Sequence, residues 1–416
     1  MRIRSLSIWW IAGFALLVPA LACAIWWIGL NRVRREAASQ GHLTRAQQAA
    51  ERGQWGTTAQ ELHGLLAIEP DSDGAWLMLA ETEFRRGQVD EALRCVSHVP
   101  SRSANGPAAR LLEGTLLLNA GQASRAETVL NECLKLDPDN LDARRRLVFL
   151  YAIELRREEL RQVLWELHEL RALQTTDLVL LSGSTFIVWN AAEIAGMIER
   201  YAASDERDVA ARVAAGRYRL RQNELDAARA ILEEACRLAP NDEAPRAALA
   251  DCLLDRGEFE ELRQLIERIP PGRQPDAHFA FCRGRIAEEA DELDAAIEAY
   301  RVAVRSDEDD REANYRLGQL LVHTGRAPES ERPLVRAQKL AERETLLSTL
   351  VTSGDASRYT PILARLEVEL GHERLAAAWY AEAVRQNPND ESLRAEAAAF
   401  AKRAADDSAR STTNPH

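Results

Sequence analysis

The feature that most constrains this chain is a spacing of about 34 residues that recurs along most of its length. Small residues lie at this spacing or at multiples of it, at Ala46, Ala80, Gly114, Gly216, Ala250, Gly284 and Gly318. The two missing steps fall on Val148 and Ser182. Sixteen residues after each of these positions the side chain is large and apolar: Leu62, Val96, Leu130, Leu164, Ile198, Leu232, Ile266, Tyr300 and Leu334. Nine copies in one phase predict a repeat array rather than unrelated globular domains.

A turn position follows each small residue by seven residues. It holds Gly53, Gly87, Gly121, Leu155, Trp189, Asn223, Gly257, Asp291 and Gly325. Most of these residues can adopt the left-handed backbone that ends a helix. Prolines close several units at the same phase, at Pro70, Pro138 and Pro240. A tenth unit follows after twelve inserted residues, with Ala364, Gly371, Ala376, Tyr380 and Pro388 at the matching places. We predict that the extra residues lie around Ser353-Gly354-Asp355.

This pattern resembles the tetratricopeptide repeat family. The clearest copy holds Trp76, Leu79, Ala80, Gly87, Ala92 and Val96, and further copies run from Gly114 to Pro138 and from Gly216 to Pro240. The resemblance covers nearly everything from residue 40 to residue 400. It implies an all-α fold, a right-handed α-solenoid of about ten helix pairs in which the small residue lets the first helix approach the second closely.

Two neighbouring units depart from the pattern. The fourth has Leu155 and Leu160 where glycine and alanine are expected, and the fifth contains an almost entirely apolar run at 178–190. We predict that this run forms a fully buried first helix in the middle of the array. The alternative is an exposed apolar patch that docks a partner. The run is too short to cross a membrane, because a membrane-spanning helix needs about 20 residues.

A segment without charge precedes the repeats at residues 8–30. As a helix it is long enough to span a bilayer, and tryptophans lie at both ends, as interfacial belts require. We therefore expect one transmembrane helix before the solenoid. A cleaved signal peptide is the alternative, since Ala20 and Ala22 resemble a cleavage site before Cys23. Cleavage there would leave an apolar stretch at the new terminus, which favours the uncleaved anchor.

The side of the membrane is less constrained, because arginines flank the segment on both sides. The short leading tail favours a single-pass protein of the inner membrane with the solenoid on the extracytoplasmic side. Free cysteines and the basic run at 32–35 favour a cytoplasmic solenoid. The expected organisation is a tail at 1–7, the anchor at 8–30, a linker at 31–40, nine units at 41–338, an insertion at 339–356, a final unit with a capping helix at 357–403 and a disordered tail at 404–416.

The residues that carry most chemistry are scattered singly. Neither a glycine-rich phosphate loop nor a cysteine spacing typical of metal sites occurs, and the five cysteines that follow the apolar segment are expected to be small buried residues. The net charge of −12 argues against nucleic acid as a partner. We therefore expect no enzyme, no catalytic, cofactor or metal residues, and no small-molecule substrate.

In the family, the first helices of successive units line a concave groove. The resemblance implies that nine residues there contact a protein or an extended peptide: Phe84, Asn119, Arg145, Phe149, Arg217, Arg221, Phe281, Arg285 and Tyr315. The arginines are suited to carboxylates. The alternatives are inter-repeat core for the aromatic members and solvated salt bridges for the charged ones.

The function that this organisation favours is a membrane-anchored scaffold or adaptor in the assembly or regulation of an envelope complex. Two alternatives stay open, a regulatory subunit of a separately encoded enzyme and a self-assembling structural protein.

Overall fold

The structure is a computed structural model that describes residues 6–183, 191–268 and 277–413. This part of the chain contains 21 α-helices and no β-strand. Two compact units divide the chain, unit 1 over Met1–Ala143 and unit 2 over Arg144–His416. The expected all-α fold is confirmed for these residues, in keeping with a sequence rich in strong helix formers such as Ala, Leu, Glu and Arg.

Unit 1 holds six complete helices and the start of a seventh. They are α1 (Leu6–Glu51), α2 (Trp55–Ile68), α3 (Asp73–Arg85), α4 (Val89–Val96), α5 (Gly106–Asn119), α6 (Ala123–Leu136) and the first residues of α7 (Leu141–Ile153). Its core includes Leu62, Leu79, Val96 and Leu116, each fully buried.

Unit 2 holds the rest of α7 and the remaining described helices. They are α8 (Arg157–Glu169), α9 (Thr175–Leu181), α10 (Ala191–Ser204), α11 (Val209–Arg221), α12 (Leu225–Leu238), α13 (Glu243–Arg256), α14 (Phe259–Glu267), α15 (Ala277–Glu289), α16 (Leu293–Ser306), α17 (Arg311–His323), α18 (Ala327–Ser353), α19 (Ala356–Leu370), α20 (Glu373–Gln386) and α21 (Glu391–Thr413). Consecutive helices pack in pairs, for example α11 with α12 and α15 with α16. Short connections fold each pair back on itself, so the predicted solenoid of helix pairs is confirmed.

The backbone shows the repeat most directly at the turns. Every predicted turn residue that the structure describes has a positive φ, from 58° at Leu155 to 83° at Gly371. Leu155, Asn223 and Asp291 adopt this conformation although they carry a Cβ. The repeat phase therefore sets the backbone even where the residue type disfavours it. Trp189 lies outside the described residues.

Steric contact between the two helices of a pair explains why small residues recur at the repeat positions. A Cβ added at Gly114 would lie 2.7 Å from Cδ2 of Leu130, and one at Gly216 would lie 2.5 Å from Cδ2 of Leu232. Both distances are too short for carbon atoms in van der Waals contact. Where the small residue is glycine, it and the large apolar residue sixteen positions later are thus direct packing partners within the helix pair.

The inserted residues before the last repeat are helical. They extend α18 to 27 residues, and Gly354 ends it with a φ of 67°. The second helix of the ninth repeat is therefore about twice as long as its counterparts, which moves the last repeat along the chain without a separate loop.

The apolar run of the fifth repeat is buried where it is described, but its partner was not predicted. Leu178 and Val179 of α9 are 2% and 1% exposed and pack in one cluster with Leu363 and Trp379 of the last repeat. The predicted burial of this helix is confirmed for residues 178–180 and 182, and the alternative of an exposed patch is wrong there. The helix reaches the last repeat because unit 2 curves until its beginning meets its end. Residues 184–190 lie outside the described part.

The expected membrane anchor falls within α1. Most of its side chains, those of residues 8–25 and 28, lie outside the described residues. Among the described residues, no helix has both the length and the apolar character that a membrane crossing requires.

Candidate functional site

Unit 2 surrounds an open cavity of about 900 Å³. One wall comes from α8 and α9, and the others come from the start of α15, the segment from 307 to 312, α18 and the start of α20. The lining includes five arginines (Arg157, Arg161, Arg311, Arg343, Arg374), two histidines (His278, His372) and six acids (Asp307, Asp309, Asp310, Glu312, Glu344, Glu373). The cavity therefore presents both signs of charge at close range.

A network of charges builds one wall of this cavity. Nδ1 of His372 lies 2.6 Å from Oε2 of Glu367, and its Nε2 lies 3.0 Å from Oδ2 of Asp309. The hydrogen bonds to Asp309 and then to Glu367 raise the pKa of His372 to about 9. The imidazole is consequently charged at neutral pH and donates from both nitrogens.

Asp309 is the centre of the network. Burial opposes its charge, but the hydrogen bond and charge of His372 and the charge of Arg343 hold the pKa of Asp309 well below its usual range. Arg336 Nη2 donates to Asp309 Oδ1 at 2.8 Å, and Arg343 Nη1 lies 3.4 Å from Oδ2. Glu367 is fully buried and lies 3.7 Å from Arg343. The wall is thus fixed by ion pairs that join α18, α19 and the segment before α17.

A second set of contacts joins the two ends of unit 2. The Arg374 guanidinium of α20 lies 3.9 Å from the ring centroid of Trp165 in α8, and its Nη2 lies 3.3 Å from Glu169 Oε1. Thr175 at the start of α9 donates to Glu382 of α20, which lies 207 positions later in the sequence. A local sequence pattern cannot predict contacts between residues so far apart in the chain.

The nine groove residues predicted from the sequence lie away from this cavity lining. Two belong to unit 1. Phe84 is half-buried and packs against the unit 1 core. Asn119 is exposed, and its Nδ2 donates to the carbonyl of Thr115 in its own helix at 2.8 Å.

Seven of the nine belong to unit 2. Arg145 donates to both carboxylate oxygens of the buried Asp177 at 2.6 Å. Arg217 Nη1 lies 3.5 Å from the carbonyl of Leu155, and burial lowers the pKa of Arg217. The others occupy a range of environments, with Phe149, Phe281 and Arg285 half-buried and Arg221 and Tyr315 exposed.

The aromatic candidates in unit 2 divide between core and surface. Phe281 contacts the ring of the buried Tyr300, with ring centroids 5.7 Å apart, and packs against the core of its repeat. Tyr315 keeps 49% of its surface exposed on α17. Of these two rings, that of Tyr315 is the one that solvent can reach.

The cysteines lie mostly in the core. Cys95, Cys133, Cys252 and Cys282 are buried and form no disulfide. Burial raises the pKa of Cys95, Cys236 and Cys252 to about 11, so their thiols stay protonated and weakly nucleophilic at neutral pH. Within the described ranges, no cluster of three or more His, Cys, Asp or Glu side chains could hold a metal ion.

Three sequence profiles, each described as tetratricopeptide repeat, match the chain. They cover residues 49–116 and 200–280, residues 107–150, and residues 281–344. Together they span more than half of the chain and leave out helices α8 and α9 of the departing units. No curated protein matches it.

Several solved structures resemble the chain at low identity. MamA from Desulfovibrio magneticus RS-1 is 16% identical, with 40% of this chain and 93% of that chain covered and a TM-score of 0.32. A tetratricopeptide repeat protein from Parabacteroides merdae ATCC 43184 is 15% identical, with 68% and 99% covered and a TM-score of 0.31. PilF from Pseudomonas aeruginosa is 17% identical, with 51% and 97% covered and a TM-score of 0.30.

Proposed function

We propose that this chain, which belongs to the tetratricopeptide repeat family, is a scaffold that binds other proteins. The observation that carries the proposal is the open cavity of unit 2, about 900 Å³ in volume and lined by charged side chains of both signs. Repeat stacks offer extended concave surfaces of this kind. A stretch of polypeptide is the ligand class that fills such a surface.

The charges of the cavity favour a peptide that carries both signs. Arg157 and Arg161 project from the α8 wall, while Asp307 and Glu373 lie on the walls formed by the later repeats. A uniformly anionic ligand such as nucleic acid would meet several carboxylates. A peptide segment can place an acidic side chain toward Arg157 and Arg161 and a basic one toward carboxylates such as Asp307 and Glu373.

Three residues predicted from the family groove lie outside the cavity lining but on first helices of repeats in unit 2. They are exposed Tyr315 and Arg221 and half-buried Arg285, and we propose them as further contacts. Arg145 is the least available of the predicted contact residues, because its guanidinium is already paired with Asp177.

We further propose that residues 8–30 tether the scaffold to the inner membrane, with the repeats on the extracytoplasmic side. The uncharged sequence supports this, as do Trp26 and Trp27, which are 70% and 63% exposed. Fractionation tests it: the full chain should stay with membranes after carbonate extraction, and a chain lacking residues 1–30 should not. Protease access in spheroplasts then reports the side, since digestion of the repeats places them outside.

Position-specific photo-crosslinking tests the binding proposal. A photoreactive amino acid replaces Glu373, which lines the cavity, and in a matched variant replaces exposed Gln264 of α14, which does not. We expect the position 373 variant to capture a defined protein in the native host that the position 264 variant does not capture. Capture of the chain itself from position 373 would favour self-assembly, and equal capture from both positions would contradict binding in the cavity.

A further inference from the structure

Helix α9 sits on the last repeat as a ligand sits in a groove. Thr175, Leu178 and Val179 of α9 and the C-cap residue Ser182 follow the spacing i, i+3, i+4, i+7, which places them on one face of the helix. That face meets the groove formed by the end of α18 with α19 and α20. The same spacing is typical of amphipathic helices that bind in grooves of other proteins.

The contact has an apolar centre and a polar anchor at each end. Leu178 and Val179 pack in the cluster that contains Leu363, Ala364 and Trp379. At one end Ser182 Oγ accepts a hydrogen bond from Trp379 Nε1 at 3.2 Å and lies 3.4 Å from Oε1 of the buried Glu367.

At the other end Thr175 donates to Glu382, which is 6% exposed. Burial tends to raise the pKa of Glu382, but hydrogen bonds from Arg385 and Thr175 hold it below its ordinary value. The Glu382 carboxylate is therefore a charged acceptor that faces one end of α9, and Glu367 Oε1 lies beside Ser182 at the other end. An apolar centre bounded by directional polar contacts is the arrangement of a binding interface.

The remaining repeats keep neighbours of their own without this contact. Each repeat of a solenoid is stabilised by its neighbours, and α20 already packs against α19 and α21. Helix α9 adds only seven helical residues, and its Asp177 pairs with Arg145 of α7 rather than with the last repeat. Short segments of this kind open locally without global unfolding.

We propose that the last repeat carries a helix-binding groove that α9 occupies in cis as a displaceable latch. The partner that fits is an amphipathic helix that begins the contact with a hydroxyl residue. Two adjacent aliphatic residues follow three and four positions later, and a small hydroxyl residue follows seven positions later. Displacement frees one wall of the cavity, because Leu180, Leu181 and Ser182 line it. The groove is a second surface, and its existence does not rest on the binding proposed for the cavity.

The test uses the full chain and a labelled peptide of residues 172–185. Ser182→Asp places a carboxylate beside buried Glu367 and should release α9, whereas Ser204→Asp at the exposed end of α10 is the matched control. By fluorescence anisotropy we expect the peptide to bind the S182D chain at least tenfold more tightly than the wild type or S204D chain. A peptide carrying Val179→Asp should not bind.

Hydrogen exchange on the same proteins distinguishes local release of α9 from unfolding of unit 2. In S182D, amides of 175–181 should exchange at least tenfold faster while α11 to α17 keep their protection. Two results overturn the proposal: unchanged protection of α9, or released α9 with no peptide binding. Loss of protection throughout unit 2 also overturns it, because α9 would then be an integral part of the core.

Discussion

Gly284 of α15 packs directly against the ring of Tyr300 in α16, sixteen residues later in the sequence. A Cβ at position 284 would collide with Cδ1 of the ring at 2.6 Å. Tyr300 is fully buried, and its hydroxyl donates to Glu288 at 2.6 Å. Because the hydroxyl fixes the ring in place, the ring cannot swing aside, and the close approach of the two helices depends on the absence of a side chain at position 284.

Gly284→Ala should therefore destabilise unit 2 by about 1–3 kcal/mol through overpacking, although alanine is the better helix former. The matched control is Gly196→Ala in α10, where a Cβ would meet nothing within 4 Å. That change should raise stability by roughly 0.5–1 kcal/mol. Urea unfolding followed by circular dichroism measures both, and equal effects of the two substitutions would contradict the packing described.

The ion pair between Arg145 and Asp177 should contribute to stability. Removing the guanidinium leaves Asp177, only 2% exposed, without its charge partner, so Arg145→Ala should cost about 3 kcal/mol. Arg146→Ala, at the exposed neighbouring position, should change the free energy of unfolding by less than about 0.5 kcal/mol. A similar small effect for both variants would show that Arg145 is available to a partner instead.

The stability of unit 2 should fall as the pH rises from about 6.5 to about 9. The pKa of His372 is raised to about 9 by Asp309 and Glu367, above the ordinary value near 6.5. The folded state therefore holds a proton that the unfolded state has lost, and stability falls with pH over this window. Arg336 and Arg343 also face these carboxylates and keep part of the pairing after His372 loses its charge.

Unfolding midpoints at pH 6 and pH 8 measure this effect, which we expect to be about 2 kcal/mol over that range, below the pH at which the thiols of an unfolded chain ionise. His372→Gln removes the titrating group and should abolish this fall. A wild type as stable at pH 8 as at pH 6 would contradict the network.

Substitution of Phe281 and of Tyr315 should affect stability differently, because the first ring packs in the core and the second lies on the surface. Phe281→Ala should destabilise unit 2 by about 2–4 kcal/mol, since its ring packs in the core of its repeat. Tyr315→Ala should change stability by less than about 0.5 kcal/mol and instead weaken capture of a partner. Thermal unfolding of the two variants, together with the crosslinking yield of Y315A, checks both halves.

The local rules of the repeat could be predicted from the sequence because they depend on fixed spacings. The pairing of Gly216 with Leu232 and the left-handed turn at Asn223 follow from residues only a few helical turns apart. Even the left-handed Leu155 obeys the phase against its own preference.

The candidate cavity could not be predicted in this way. The hydrogen bond between Ser182 and Trp379 joins residues 197 positions apart, and it exists only because small rotations from repeat to repeat accumulate until unit 2 meets itself. The total of these rotations cannot be predicted from the spacing of residues within one repeat. The prediction from the family groove therefore found residues of the first helices, while the residues that line the cavity come largely from α8, α9 and the segments that begin the later helices.

The most direct test of the account is the affinity of the purified full chain for the protein captured from the cavity, measured by isothermal titration calorimetry. The double reversal Arg157→Glu and Arg161→Glu inverts one wall of the cavity, while Arg263→Glu inverts a charge on exposed α14, outside the cavity lining. We predict at least a tenfold weaker affinity, about 1.4 kcal/mol, for the double reversal, and an unchanged affinity for R263E. Equal affinity of all three proteins would contradict binding in the cavity of unit 2.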